Sequence, residues 1–138
     1  MKKRTIAFFF IFLGILITTG CTSIKPDIVS QWELASYGDV TNVTLAMPDV
    51  DTFIKFGIGG KFNGNVGCNS FGGNYHLIGD RIFFNSIYST EMYCEETWNQ
   101  EQGVLSLLSK PDLRVQLNNE ILTVKNGTYV VNLIKKII

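Results

Sequence analysis

Turn-forming pairs recur along this chain at the spacing of β-hairpins, and that punctuation constrains the fold more than any other feature. Gly59-Gly60, Asn63-Gly64, Gly79-Asp80, Asn118-Asn119 and Asn126-Gly127 mark the breaks. Asn-Gly is the strongest short hairpin signal, because both central residues of the turn must accept positive φ. Between the breaks lie short segments of alternating or β-branched character. They run through Trp32 to Tyr37, Asn42 to Met47 (ended by Pro48), Thr52 to Phe56, Tyr75 to Ile78, Arg81 to Phe84, Leu113 to Leu117, Ile121 to Val124 and Tyr129 to Ile134. Strands following one another in this way predict an antiparallel meander rather than the strand–helix alternation of a parallel sheet.

One segment has a different period. Glu95 to Ser109 carries Trp98, Leu105 and Leu108 at helical spacing, with Thr97 and Gln100 placed as a capping box. Glu95 and Glu96 suit the positive N-terminal end of a helix, and Pro111 stops it. Gly103 costs such a helix about 1 kcal/mol. Trp98, Leu105 and Leu108 are expected in the core rather than around a ligand.

The N-terminus reads as an export signal. Lys2, Lys3 and Arg4 precede twelve apolar residues, Ile6 to Ile17, and then small residues lead to Cys21. A basic start, a short apolar stretch and a small-residue cleavage zone describe a secretory signal. Twelve residues rise only about 18 Å as a helix, against a hydrocarbon core of roughly 30 Å. Gly20-Cys21 resembles the lipobox of bacterial lipoproteins, although Thr18 stands where that pattern favours leucine. The resemblance implies removal of residues 1–20 and acylation of Cys21. Residues 21–30 then form a lipidated tether and residues 31–138 the folded domain. It further implies a lipid-anchored place in the cell envelope. In a Gram-negative host, Thr22 after the cysteine favours the outer membrane, facing the periplasm.

Charge and cysteines narrow the function. The chain has twelve basic and twelve acidic residues; three basic ones leave with the signal, so the mature part carries nine against twelve, a net charge of −3. That balance argues against nucleic acid as a partner. With Cys21 assigned to lipid, Cys68 and Cys94 remain. In an oxidising compartment such a pair reads as a disulfide. Two free buried thiols are the alternative, and a metal site lacks ligands, since the chain has one histidine and neither cysteine lies in a Cys-x-x-Cys pair.

The residues show no catalytic constellation and call for no cofactor. The seven glycines from Gly57 to Gly73 lack the Gly-Lys-Ser/Thr of a phosphate loop. They are explained better by turns and close strand approaches. His76 has no nucleophile elbow nearby, and Glu91, Glu95 and Glu96 read as a solvated loop and helix start.

Three motifs in order carry a family resemblance: Gly67-Cys68-Asn69, Phe71-Gly72-Gly73-Asn74-Tyr75, and Ser89-Thr90-Glu91-Met92-Tyr93-Cys94. With Trp32-x-Leu34 before them and Glu101, Leu105 and Leu108 after, they resemble the META-domain, or HslJ-like, family of bacterial envelope proteins. The resemblance implies a mainly β fold, an antiparallel meander forming an incompletely closed small barrel with one packed helix. It also implies a bond between Cys68 and Cys94. It supplies no enzyme activity. Gly67, Asn69, Thr90 and Met92 match family positions and are read as structural: Asn69 satisfies backbone groups in a turn, and Met92 fills an irregular gap.

The expected role is non-enzymatic binding of an envelope protein partner, in stress tolerance or assembly. A carrier of a small apolar ligand in the barrel mouth ranks second, because small barrels are usually filled by their own side chains. A hydrolase ranks last.

Overall fold

A computed structural model describes residues 25–137. The expected signal peptide and Cys21 lie outside the described residues. Nine strands and one helix follow in chain order: β1 (Ser30–Asp39), β2 (Asn42–Leu45), β3 (Phe53–Phe56), β4 (Lys61–Asn65), β5 (Ser70–Ile78), β6 (Arg81–Ser89), α1 (Trp98–Leu108), β7 (Leu113–Asn118), β8 (Ile121–Asn126) and β9 (Tyr129–Lys135).

Every ladder is antiparallel, and pairing of β1 with β9 closes the ring β1-β3-β4-β5-β6-β7-β8-β9. β2 stands outside it, sharing an edge of β1 with β3: Ser30 to Trp32 pair with β3, and Ser36 to Asp39 pair with β2. The thinnest seam is β6–β7, with only two residue pairs, Arg81–Arg114 and Ile82–Leu113. There the chain leaves the sheet to build α1. Beside the seam, Arg114 donates both its contacts to the Asp80 carboxylate (2.9 and 2.8 Å). That bond holds the Asp80 carboxyl below the ordinary aspartate value, but the pair is exposed and adds little stability.

Alternation explains which side chains fill the ring. In β3 Ile54 and Phe56 point in, and in β8 Leu122 and Val124 do, while their neighbours face out. Phe56, Phe62, Tyr75 and Phe84 meet edge-on, tilted or stacked at centroid separations of 4.8–6.3 Å, packed together within the barrel. Trp32 is buried and donates its indole N–H to the Ile28 carbonyl at 2.9 Å. Ile28 is itself buried, so the segment expected to be tether already reaches the core at that residue.

Asn63-Gly64 is not a hairpin turn. Both residues lie inside β4, where Gly64 pairs with Ile54 and Phe71. The glycine is needed for space rather than for positive φ: a Cβ there would stand 2.6 Å from the Phe53 carbonyl oxygen and 2.7 Å from the Phe71 ring. The turn falls earlier, where Gly60 has φ of 72°. Gly64→Ala is expected to destabilise the domain by about 1–3 kcal/mol through overpacking, measured as a lower urea midpoint at unchanged slope. An unaltered midpoint would mean that the β3–β5 backbones relax freely. The turns expected at Gly79-Asp80, Asn118-Asn119 and Asn126-Gly127 are present, with positive φ at Gly79, Asn119 and Gly127.

The helix begins later than its acidic prelude suggested, and it has no capping box. Thr97 is the N-cap but makes no side-chain capping bond, and its hydroxyl is buried without a partner. Gln100 instead serves the barrel: its Oε1 accepts from Met47 N–H (2.8 Å) and its Nε2 donates to the Val66 carbonyl (2.6 Å). Leu108 is core, as expected, with Val104 and Leu107, while Leu105 is only partly buried and Trp98 is exposed. Gly103 lets the helix backbone approach the Tyr37 ring, which a Cβ would meet at 2.5 Å.

Strand directions give the barrel two distinct ends. The chain enters at one, beside the β3–β4, β5–β6 and β7–β8 turns and the end of β9. The other carries α1, the β4–β5 turn and the β6–α1 loop.

Candidate functional site

The motif residues converge at the helix end. Asn65 Oδ1 accepts from Gly67 N–H at 3.0 Å, which shapes the β4–β5 turn. That turn presents two consecutive N–H groups, of Cys68 and Asn69, to one carboxylate oxygen of Glu101; the Asn69 bond is 2.6 Å. The second oxygen, Oε2, accepts from Asn69 Nδ2 at 2.8 Å. Glu101 is only 2% exposed, so its charge is met almost wholly by these donors. Gly67 is required by this approach, since a Cβ there would lie 2.7 Å from the Glu101 side chain.

Asn69 passes the connection on. Its Nδ2 also donates to the Met92 carbonyl (2.8 Å), and its Oδ1 accepts from Met92 N–H (2.8 Å) and from the Thr90 hydroxyl (2.7 Å). Two donors and two acceptor positions are all the amide has, and all four are used. Thr90 Oγ1 in turn accepts from Ser70 N–H at 3.2 Å. The Asn69 side chain thus pairs with the Met92 backbone as a neighbouring strand would. A disulfide joins Cys68 to Cys94 with Cα atoms 6.2 Å apart, clasping the same turn to the same loop.

Above this floor lies a cleft of about 530 Å³. Met92, Tyr93, Trp98 and Leu105 form its apolar walls, and Glu91 and Gln102 stand at its margin. The Tyr93 and Trp98 rings pack at 5.4 Å, yet Tyr93 remains 72% exposed. Gly67, Asn69 and Thr90 thus make their contacts within the protein. Met92 differs: its side chain is 55% exposed and lines the cleft instead of filling a core gap, while its backbone does the structural pairing. Trp98 likewise belongs to the cleft and not to the core. Its position at the first turn of α1 points it away from the Val104–Leu107 face.

Glu101 as the hub was not anticipated, beyond its place in the helix. The signal was present, because Gln100 and Glu101 interrupt the apolar stripe three to eight residues before Val104, Leu107 and Leu108. Polar residues in such a stripe have to find buried partners. His76 stands apart on the barrel wall, exposed and stacked on Phe83 at 4.8 Å. Among the described residues, no three His, Cys, Asp or Glu side chains gather as a metal site would require.

A closed eight-stranded barrel with one helix across its end and a disulfide-clasped cleft defines a small β-barrel module. Residues 26–136 match the META domain, and the chain belongs to that family. Solved structures agree on the fold. An NMR structure of a protein from Burkholderia xenovorans superposes with a TM-score of 0.65 at 17% identity, over 78% of this chain and 82% of that one. A second NMR structure gives 0.61 at 19% identity, over 78% and 89%. Comparison with curated proteins found no match.

Proposed function

We propose that this META-domain protein is exported, held to the cell envelope by acyl chains on Cys21, and works without catalysis, binding an envelope protein partner in the helix-end cleft in stress tolerance or assembly. The observation that carries the binding role is the saturation of Asn69. Every hydrogen-bonding position of its amide is spent inside the protein. The walls of Met92, Tyr93, Trp98 and Leu105 remain free for an apolar surface, and aromatic and methionine side chains of this kind anchor protein contacts. The disulfide supports export, because such bonds persist in oxidising compartments. A carrier role is disfavoured by the rings packed together within the barrel.

Labelled palmitate should enter the wild-type chain and not Cys21→Ser; continued labelling of the variant would show that the anchor is misplaced. Pulldown of the lipidated protein from envelope extracts should recover a protein that Trp98→Ala loses. Recovery of lipid without any protein would overturn the ranking in favour of the carrier.

A further inference from the structure

The tether end of the barrel has an apolar rim of its own, distinct from the cleft. Val29 precedes β1, Ile58 sits at the β3–β4 turn and Ile78 ends β5; Ile121 begins β8, Ile134 is the last residue but one of β9 and Ile137 follows that strand. Ladder register places them at one end. Ser30 pairs with Phe56 just before the Ile58 turn, Ile78 with Arg81 across the next turn, and Ile121 with Ile134. All six are exposed, Ile58 by 92% and Ile137 by 87%. Scattered exposed leucines and isoleucines need no explanation, but six from five separate elements on one rim do.

The same rim is where the chain arrives. Ile28 is fixed in the core, and its carbonyl is held by the Trp32 indole. Between Cys21 and Ile28 an extended chain spans at most about 25 Å. From these facts we infer that the tether-end rim rests on the phospholipid surface, with the Ile58 turn entering the interface. This rests on acylation of Cys21. The acyl chains supply the affinity, and the rim sets the orientation. Strands nine or ten residues long separate the two ends, so the cleft faces away from the bilayer, open to a partner in the aqueous compartment.

The test uses the full-length protein, purified in its processed form and reconstituted in vesicles of phosphatidylethanolamine and phosphatidylglycerol with brominated acyl chains. Tryptophan is introduced at Ile58 (Ile58→Trp) or, as a control away from the rim, at Leu45 (Leu45→Trp), whose ladder partner Ser36 lies six residues along β1 from Ser30. Both side chains are exposed, so neither change disturbs packing. At a depth of about 5–10 Å below the headgroup boundary, the added Ile58→Trp emission should shift to the blue and lose about half its intensity to bromine. Leu45→Trp and the native Trp98 should stay unquenched. An acylated chain whose Ile58→Trp emits as in water overturns the rim alone and leaves the anchor standing. Blue-shifted but unquenched emission means that a second copy covers the rim, which also overturns it. Intact mass on the same samples reads acylation independently, and an unacylated chain overturns the anchor and the rim together.

Discussion

Glu101→Ala is expected to lower the unfolding free energy by about 3–5 kcal/mol, the largest effect of any single polar substitution in this domain. The change strands three donors at once: the N–H groups of Cys68 and Asn69, and Asn69 Nδ2. Each buried donor left without a partner costs about 1–3 kcal/mol, less whatever water recovers. Glu101→Gln should cost less, about 1–2 kcal/mol. Its remaining oxygen can keep both backbone N–H groups, while its amide opposes Asn69 Nδ2. Denaturant midpoints of the pair read the order directly. Equal losses for Ala and Gln would show that charge, and not the geometry of the acceptor, holds the turn.

Breaking the Cys68–Cys94 bond is the second large effect. In the chain-entropy account, a crosslink across 26 residues contributes about 3.5 kcal/mol by restricting the unfolded chain. At roughly 4 °C per kcal/mol for a domain of this size, that is a fall in Tm of about 15 °C. The double variant Cys68→Ser with Cys94→Ser should still fold, because no ladder of the barrel depends on the bond. Its effect should not add to that of Glu101→Gln. Both restraints hold the Gly67–Asn69 turn, the disulfide against the β6–α1 loop and Glu101 against α1, and restraints on one segment couple. Strict additivity of the two Tm shifts would indicate that they act on separate elements.

The barrel was legible because strand period and turn chemistry are local properties. Gly79, Asn119 and Gly127 turn where their residue types suggest, and the strands between them alternate. Asn63-Gly64 misled because a glycine that admits positive φ is also one that admits a neighbour: the Phe71 ring, distant in no local pattern, claims the space. The closing β1–β9 ladder joins the two ends of the domain, which no local pattern shows; the resemblance implied a barrel left incompletely closed, and this ladder closes it. The site was half legible. Gly67, Asn69 and Thr90 stood out as motif members, but their meeting at Glu101 depends on contacts 32 residues apart. Gln100 looked like a cap because Thr97 precedes it by three; the tertiary bonds to Met47 and Val66 won instead. Trp98 was assigned inward on its helical spacing with Leu105 and Leu108, and Met92 as a gap filler at a family position, whereas chain direction at the start of α1 and after β6 leaves both exposed.

The central claim is that the motif residues build the cleft by bonding one another, with Glu101 at the hub. Native-state amide hydrogen exchange resolved at Cys68, Asn69 and Met92 tests it most directly. In the wild-type protein all three amides should be strongly protected, with opening free energies near that of global unfolding. In Glu101→Ala, which removes the acceptor of both backbone N–H groups and of Asn69 Nδ2, the protection of all three should fall together, while that of β8 and β9 tracks only the global change. Rapid exchange at Cys68 and Asn69 in the wild type would contradict the account, as would a loss confined to those two that leaves Met92 protected.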